Sequence, residues 1–466
     1  MPSKEKINPT FRKGELKRLP VCVIGAGPAG LSAARALKIR GIPYVHFERH
    51  SDVGGIWDME NPGTPMYHSA HFISSRKMSG FYGYPMPEHY PDYPSRKQIL
   101  EYTRGFSDAY GLKENISFNT EICSVSKVGE EWSVLLKDGS QRRYSAVICA
   151  TGVNWHPNFP VHKGDFDGEV RHSVTYKHPD EFIGKRVLVV GLGNSGADIA
   201  CDAAYNADAA FVSVRRGYHF IPKHIFGVPA DEISAKGTGL PIVARRQAMK
   251  FILKMAVGDV TRWGLPSPDH RLFESHPLMN TQLIHYLQHG DVTAKPDVVG
   301  YEGSDVVFSD GSREKVDLVI YATGYNMRIP YIQEDYFEWD GGRPNLYLTA
   351  FNRSQKNLFA LGFLETNSSA YTLFDHISNL VANYIDSQIR EDGRASKFDC
   401  LIENDTPDLT GGLSFIDSDR HKSYIEINAY KKYLNKVSKK IGWNDLSHDF
   451  FEVLNSRNGS SQYEER

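Results

Sequence analysis

Residues 20–33 read PVCVIGAGPAGLSA, and residues 185–200 read KRVLVVGLGNSGADIA. Each stretch is a short β-branched apolar run, then a glycine-rich turn, then small and apolar residues at helical spacing. A strand feeding a helix through a tight glycine turn opens a βαβ unit. Two such openings predict a parallel sheet with helices on both faces, built twice in one chain. Later strands fit the plan. Residues 142–149 are extended and apolar and run into Ala150-Thr151-Gly152; residues 315–321 do the same into Ala322-Thr323-Gly324. In both places glycine lets the backbone pass close to something bulky.

The two units are not laid end to end. Residues 216–277 break the βαβ rhythm with Gly, Pro and a basic amphipathic run, ARRQAMKFILKMA at 244–256. We read this as an insertion whose helix covers a pocket or a subunit partner in preference to a membrane surface. From Leu346 strands return, and helices are expected over 368–394 and 420–440. The fold class is therefore α/β, with two dinucleotide-binding (Rossmann-like) domains, the second inserted into the first. The first takes residues 1–178 and 320–466, the second 179–319.

In the first turn, Gly25-x-Gly27-Pro28-Ala29-Gly30, each glycine has a task. Gly25 makes the tight bend, Gly27 lets the backbone approach a pyrophosphate, and Gly30 allows close helix–strand packing. The helix N-terminus offers its N–H groups to the phosphates. Glu48 closes the next strand, YVHFE, where a carboxylate accepts hydrogen bonds from a ribose and repels a 2′-phosphate. This half suits FAD or NAD. The second turn, Gly191-x-Gly193-Asn194-Ser195-Gly196, is followed by a strand ending in Arg215-Arg216, where the first unit has its acid. Arginines there grip a 2′-phosphate, which points to NADPH.

Composition narrows the classes. With 466 residues the chain is long enough for two or three domains. A formal net charge of −2 gives no field that would gather nucleic acid or an anionic membrane. Cys22, Cys123, Cys149, Cys201 and Cys400 are scattered, with neither a CxxC pair nor a Cys/His cluster of metal spacing, which fits reduced thiols and a cytoplasmic setting. The first 18 residues have no apolar run, so no secretory signal is expected, and no apolar stretch is long enough to span a bilayer. The polar end, Asn455–Arg466, is expected to fray.

FDGEVRHSVTY at 166–176 resembles the FxGxxxHxxxY fingerprint of the flavin-containing monooxygenases, class B flavoprotein monooxygenases, with Phe166, Gly168, His172 and Tyr176 in register. Gly54-Gly55-Ile56-Trp57, residues 84–102, residues 276–298 and Tyr321–Tyr325 are similar to that family too. The resemblance implies FAD in the first site, with Gly55, Ile56, Trp57 and Ile122 beside it, and NADPH in the second. It implies that a C4a-(hydro)peroxyflavin made from O2 oxygenates a soft nucleophile, an amine nitrogen or a sulfide sulfur of a small molecule. Baeyer–Villiger oxygenation of a ketone is the alternative, disfavoured by Tyr176 where the sister enzymes usually have Trp; an uncoupled NADPH oxidase releasing hydrogen peroxide is another. No metal is implied, and a homodimer is. One departure stands out. The family usually carries an Asn in a run resembling NTSK, whereas this chain has Ile73-Ser74-Ser75-Arg76-Lys77. Isoleucine donates no hydrogen bond, so Ser74 and Ser75 become the candidate catalytic residues. His172 is read as structural.

Overall fold

The computed structural model describes residues 19–236, 242–418, 421–444 and 446. Residues 1–18 and the Asn455–Arg466 tail lie outside the described residues. Val21–Ile24 is buried at all four positions, as a central strand covered on both faces must be. It pairs in parallel with Tyr44–Phe47 on one side and Ala146–Cys149 on the other. Ile116–Ser117 extends one edge, and Leu358–Ala360, Phe351–Asn352 and Leu346–Tyr347 extend the other, the last two antiparallel.

Alternation decides what covers each face. Val21 and Val23 point to the helices Pro28–Ile39 and Tyr371–Arg390, packing on Ala33, Leu37, Leu373 and Ile377. Cys22 and Ile24 point the other way, onto Val125, Trp132 and Val134 of a three-stranded antiparallel ribbon, Ile122–Val128, Glu131–Leu136 and Gln141–Tyr144.

The second sheet repeats this design. Its five parallel strands run Val292–Lys295, Ala209–Ser213, Arg186–Val190, Leu318–Tyr321, Glu169–His172. Val187 and Val189 pack on Ala197 and Ala200 of the helix Asn194–Asn206. Leu188 and Val190 pack on a second ribbon, Val298–Glu302, Asp305–Phe308 and Arg313–Lys315.

Both ribbons change the sequence reading. Residues 142–149 are two strands, broken at Ser145, whose N–H donates to the Pro20 carbonyl at 3.1 Å. The 315–321 run is broken the same way, where the Asp317 carboxylate accepts the Arg186 N–H at 2.7 Å. Strand pairing also places 169–172 and 318–321 in the second sheet, so the exchange between sheets falls outside 178 and 320.

The expected 368–394 helix ends at Arg390, capped by Glu391 at φ +53°, and Asp392 starts a separate helix, Gly393–Asn404. The last helix is Ile427–Ile441, since Tyr424–Ile425 is held as a strand beside Glu365–Thr366; Arg420, its expected start, lies outside the described residues. In the insertion, the helix Ile242–Ala256 turns Met249 and Leu253 onto Ile221 and Leu272. Phe251 and Met255 stay exposed, and none of the described side chains of this helix lines the cavity described below. No helix among the described residues is long and apolar enough to cross a membrane.

Candidate functional site

The two glycine turns are built alike. Gly25 has φ +100° and Gly191 φ +101°, a region open to glycine and costly for other residues. The Gly25 N–H donates to the Phe47 carbonyl at 2.8 Å, and that of Gly191 to the Ser213 carbonyl at 3.0 Å. A Cβ on Gly30 would fall 1.8 Å from the Gly25 carbonyl oxygen, and one on Gly196 would fall 2.1 Å from that of Gly191. Each third glycine is thus fixed by helix-to-turn packing. The middle glycines differ: a Cβ on Gly27 would meet Gly55 Cα at 3.6 Å, and one on Gly193 would meet nothing within 4 Å.

Both turns open into one continuous cavity of about 1480 Å³. This exceeds the roughly 300–1,000 Å³ typical of a single small-molecule site. Of the residues singled out by sequence, Gly25, Gly27, Pro28, Ala29, Glu48, Gly55, Ile56, Trp57, Ile122, Ala150, Thr151 and Gly152 line its first half. Gly191, Gly193, Asn194, Ser195, Arg215, Arg216, Ala322, Thr323 and Gly324 line the second. Gly30, Gly196 and Ser75 do not reach the wall.

The serines therefore separate. Ser74 and Ile73 border the cavity. Ser75 is buried behind it, its N–H donating to Asp231 Oδ2 at 2.7 Å and its hydroxyl without a partner. Of the two serines, only Ser74 is at the cavity wall.

Several features fit two dinucleotides. Gly27 and Gly193 precede their helices, and neither helix has a side-chain cap, so first-turn N–H groups are left for an anion. Asn194 does not cap its helix; its Oδ1 accepts the Met279 N–H at 2.9 Å. Asn61 is 2 % exposed and lines the first half. Its Nδ2 donates to the Gly55 carbonyl at 3.1 Å while Oδ1 is buried with no protein donor, an acceptor suited to a ligand hydroxyl. Arg215 is exposed and Arg216 half-buried just after the strand Ala209–Ser213, and both border the cavity.

Sequence reasoning missed part of this wall. Arg49 lies 4.3 Å from the Trp155 ring centroid, and both line the cavity; the signal was a base directly after Glu48. Asp198 also lines it, receiving Tyr67 OH at 3.0 Å and Asn280 Nδ2 at 2.7 Å. Burial pushes its carboxyl above the usual range. The signal was a pair of acids, Asp198 and Asp202, at i and i+4 just past the glycine turn. His172 is structural, as read: Nε2 donates to the Gly324 carbonyl at 3.0 Å and Nδ1 accepts from Val174 N–H. The aromatic 81–93 segment packs beneath the site, with Phe81 stacked on Phe106 at 3.8 Å and Tyr90 in the same cluster as Trp57.

A family model described as FMO-like, flavin-binding monooxygenase-like, matches residues 17–386. The chain is 32 % identical over 377 residues to flavin-containing monooxygenase 5 of Oryctolagus cuniculus, covering 74 % of this chain and 69 % of the relative. The human protein of the same name is also 32 % identical, with the same coverage. Among solved structures, cyclohexanone monooxygenase with bound cyclohexanone superposes with a TM-score of 0.68 at 18 % identity, covering 91 % of this chain and 98 % of that one. S-allyl-L-cysteine S-oxygenase from Allium sativum gives 0.63 at 20 % identity, covering 95 % and 93 %. At these identities the two structures speak for a shared fold.

Proposed function

Since the chain belongs to the flavin-binding monooxygenase-like family and is an NADPH-dependent flavoprotein monooxygenase using FAD, we propose that it oxygenates an amine nitrogen or a thioether sulfur of a small molecule. The observation that carries this reading is the single cavity in which the two glycine turns meet. When bound, the flavin supplies oxygen activation, with reducing equivalents from NADPH. The chain's part is to bind, orient and exclude water.

We assign FAD to the unit around Val21–Ile24. The helix N-terminus after Gly27 would hold its pyrophosphate, and Asn61 Oδ1 and Glu48 would offer acceptors to its hydroxyls. NADPH goes to the unit around Arg186–Val190, with Arg215 and Arg216 on the 2′-phosphate. On the first unit's side of the cavity, Trp57, edge-on to Phe72 at 5.3 Å, and Tyr371, 5.6 Å from Phe72, form an aromatic wall that would keep water from the reacting centre. Ser74, which borders the cavity, would offer its hydroxyl to a polar group of the bound cofactor or of O2. Ile73 beside it offers only surface, which favours some loss of reducing equivalents to hydrogen peroxide.

Tyr176 favours heteroatom oxygenation over Baeyer–Villiger chemistry by resemblance. The sister Baeyer–Villiger enzymes usually carry Trp there, and here the Tyr176 hydroxyl donates to Asp202 at 2.8 Å. The test supplies NADPH and O2 to FAD-loaded enzyme with a thioether, a tertiary amine or a cyclic ketone. Sulfoxide or N-oxide is expected, in a yield below the NADPH consumed, with hydrogen peroxide making up the balance. A lactone from the ketone alone, or peroxide as the sole product with every substrate, would overturn the reading.

A further inference from the structure

Residues 64–70 follow the Gly55–Trp57 turn of the first unit, yet Tyr67 and Ala70 are buried in the core of the second, with Val187, Val189 and Ala197. Hydroxyls converge on one helix there. Tyr67 OH donates to Asp198 Oδ2 at 3.0 Å, and Ser69 Oγ donates to Asp202 Oδ2 at 2.5 Å. Tyr176, from the linker, shares that Asp202 oxygen. The two acids lie one turn apart on Asn194–Asn206, the helix that begins at the second glycine turn. Behind them the Lys177 ammonium is wrapped by the carbonyls of Thr64, Met66 and Val174, at 2.7–3.0 Å.

We propose that Tyr67 and Ser69 are positioning residues which, latched to Asp198 and Asp202, set the distance and angle between the two glycine turns and so the approach of the nicotinamide to the flavin. The inference rests on the FAD and NADPH assignment above. The segment holding the latch descends directly from the flavin-side turn, and the acids sit on the nicotinamide-side helix. Burial pushes both carboxyls upward, so each depends on its donors to stay charged and fixed. A displacement on the order of 1 Å between reacting atoms costs about 100-fold in rate, so a loosened latch should be read in the hydride step.

The test uses Tyr67→Phe/Ser69→Ala, which removes two hydroxyls and keeps nearly all the volume. In anaerobic stopped-flow reduction by NADPH, the limiting rate of flavin reduction is expected to fall ~10-fold or more, with NADPH Kd changed less than ~3-fold. In the flavin-free chain, hydrogen exchange at residues 66–70 and 194–198 is expected to rise together. An unchanged limiting rate in flavin-loaded variant, a loss confined to NADPH affinity, or unchanged exchange at both segments would each overturn the proposal. A purely structural role would lower the melting temperature and leave the limiting rate intact, which also overturns it. If the double variant does not retain flavin, Ser69→Ala alone carries the test, because Tyr176 still serves Asp202; a slower limiting rate supports the latch and an unchanged one overturns it. Wild-type enzyme that NADPH does not reduce would instead overturn the functional reading.

Discussion

Glu48 accepts the N–H of Ala26 on Oε2 at 2.6 Å, while its Oε1 accepts the N–H of His50 at 2.9 Å. The carboxylate thereby ties the first glycine turn to the end of the neighbouring strand before any ribose is considered. A carboxylate has about four lone-pair sites, so two backbone donors leave room for ligand hydroxyls at the cavity wall. The proposed ribose acceptor is thus also a brace of the turn.

Glu48→Gln should separate those uses. One oxygen becomes an NH2 that faces a backbone N–H, leaving a buried amide unpaired at a cost of about 1–3 kcal/mol. The flavin-free chain is expected to melt lower, and FAD to bind more weakly, by calorimetry and flavin-fluorescence titration. If the flavin-free melting temperature does not move, Glu48 is no brace.

Glycine substitutions should split by position. Gly196→Ala drives a methyl into the Gly191 carbonyl and is expected to destabilise the second unit by ~1–3 kcal/mol or more. Gly193→Ala meets nothing within 4 Å and Gly193 has an ordinary φ of −89°. Stability should therefore hold while KM for NADPH rises ~10-fold or more, because the methyl occupies space a pyrophosphate needs. Unchanged KM in Gly193→Ala would place the phosphates elsewhere.

Arg215→Ala and Arg216→Ala should each weaken NADPH relative to NADH. Losing one charge-assisted bond costs about 1.5–3 kcal/mol, roughly 10- to 100-fold in the NADPH/NADH ratio of kcat/KM. Exposed Arg215 gives the cleaner result; Arg216 also lies 5.5 Å from the Tyr218 ring centroid, so its loss disturbs packing as well. A preference that survives both substitutions would send the 2′-phosphate to another cation.

What the sequence disclosed was whatever recurs locally: strand, glycine turn, helix, and the acid or arginines closing the next strand. Gly25 and Gly191 were legible because their backbone angle excludes other residues and the neighbouring pattern repeats. The ribbons at 122–144 and 298–315 were not. Their entry into the main sheets at Ser145 and Asp317 carries no Gly or Pro, so apolar alternation runs through the corner unbroken. The fates of Ser74 and Ser75 were equally hidden. Only Asp231, 156 residues away, fixes the Ser75 amide and turns that residue from the cavity. Tyr67 is read locally as one more aromatic, and its meaning comes from Asp198, 131 residues on.

His46 gives a prediction about acid. It is fully buried beneath the first turn, Nε2–H donating to the Gly25 carbonyl at 2.8 Å, and Nδ1 has no partner. Burial pushes its pKa down to about 4, against about 6.5 in an unfolded chain. Between those values the unfolded chain binds a proton that the folded chain refuses, so stability falls as pH drops through about 6.5 toward 4. Above about 6.5 the term is constant. One such group contributes at most about 1.4 kcal/mol per pH unit in that window. His376 is pushed to about 4 as well, so wild-type protein carries both slopes. His46→Asn removes one titrating group and keeps a side chain able to donate to Gly25. Denaturant unfolding of flavin-free chain at pH 5, 6 and 7 should show a shallower loss of stability in the variant, by up to about one proton's worth of slope. Identical slopes would mean that His46 takes up its proton in the folded state at ordinary pH, and that the turn it supports is open to water.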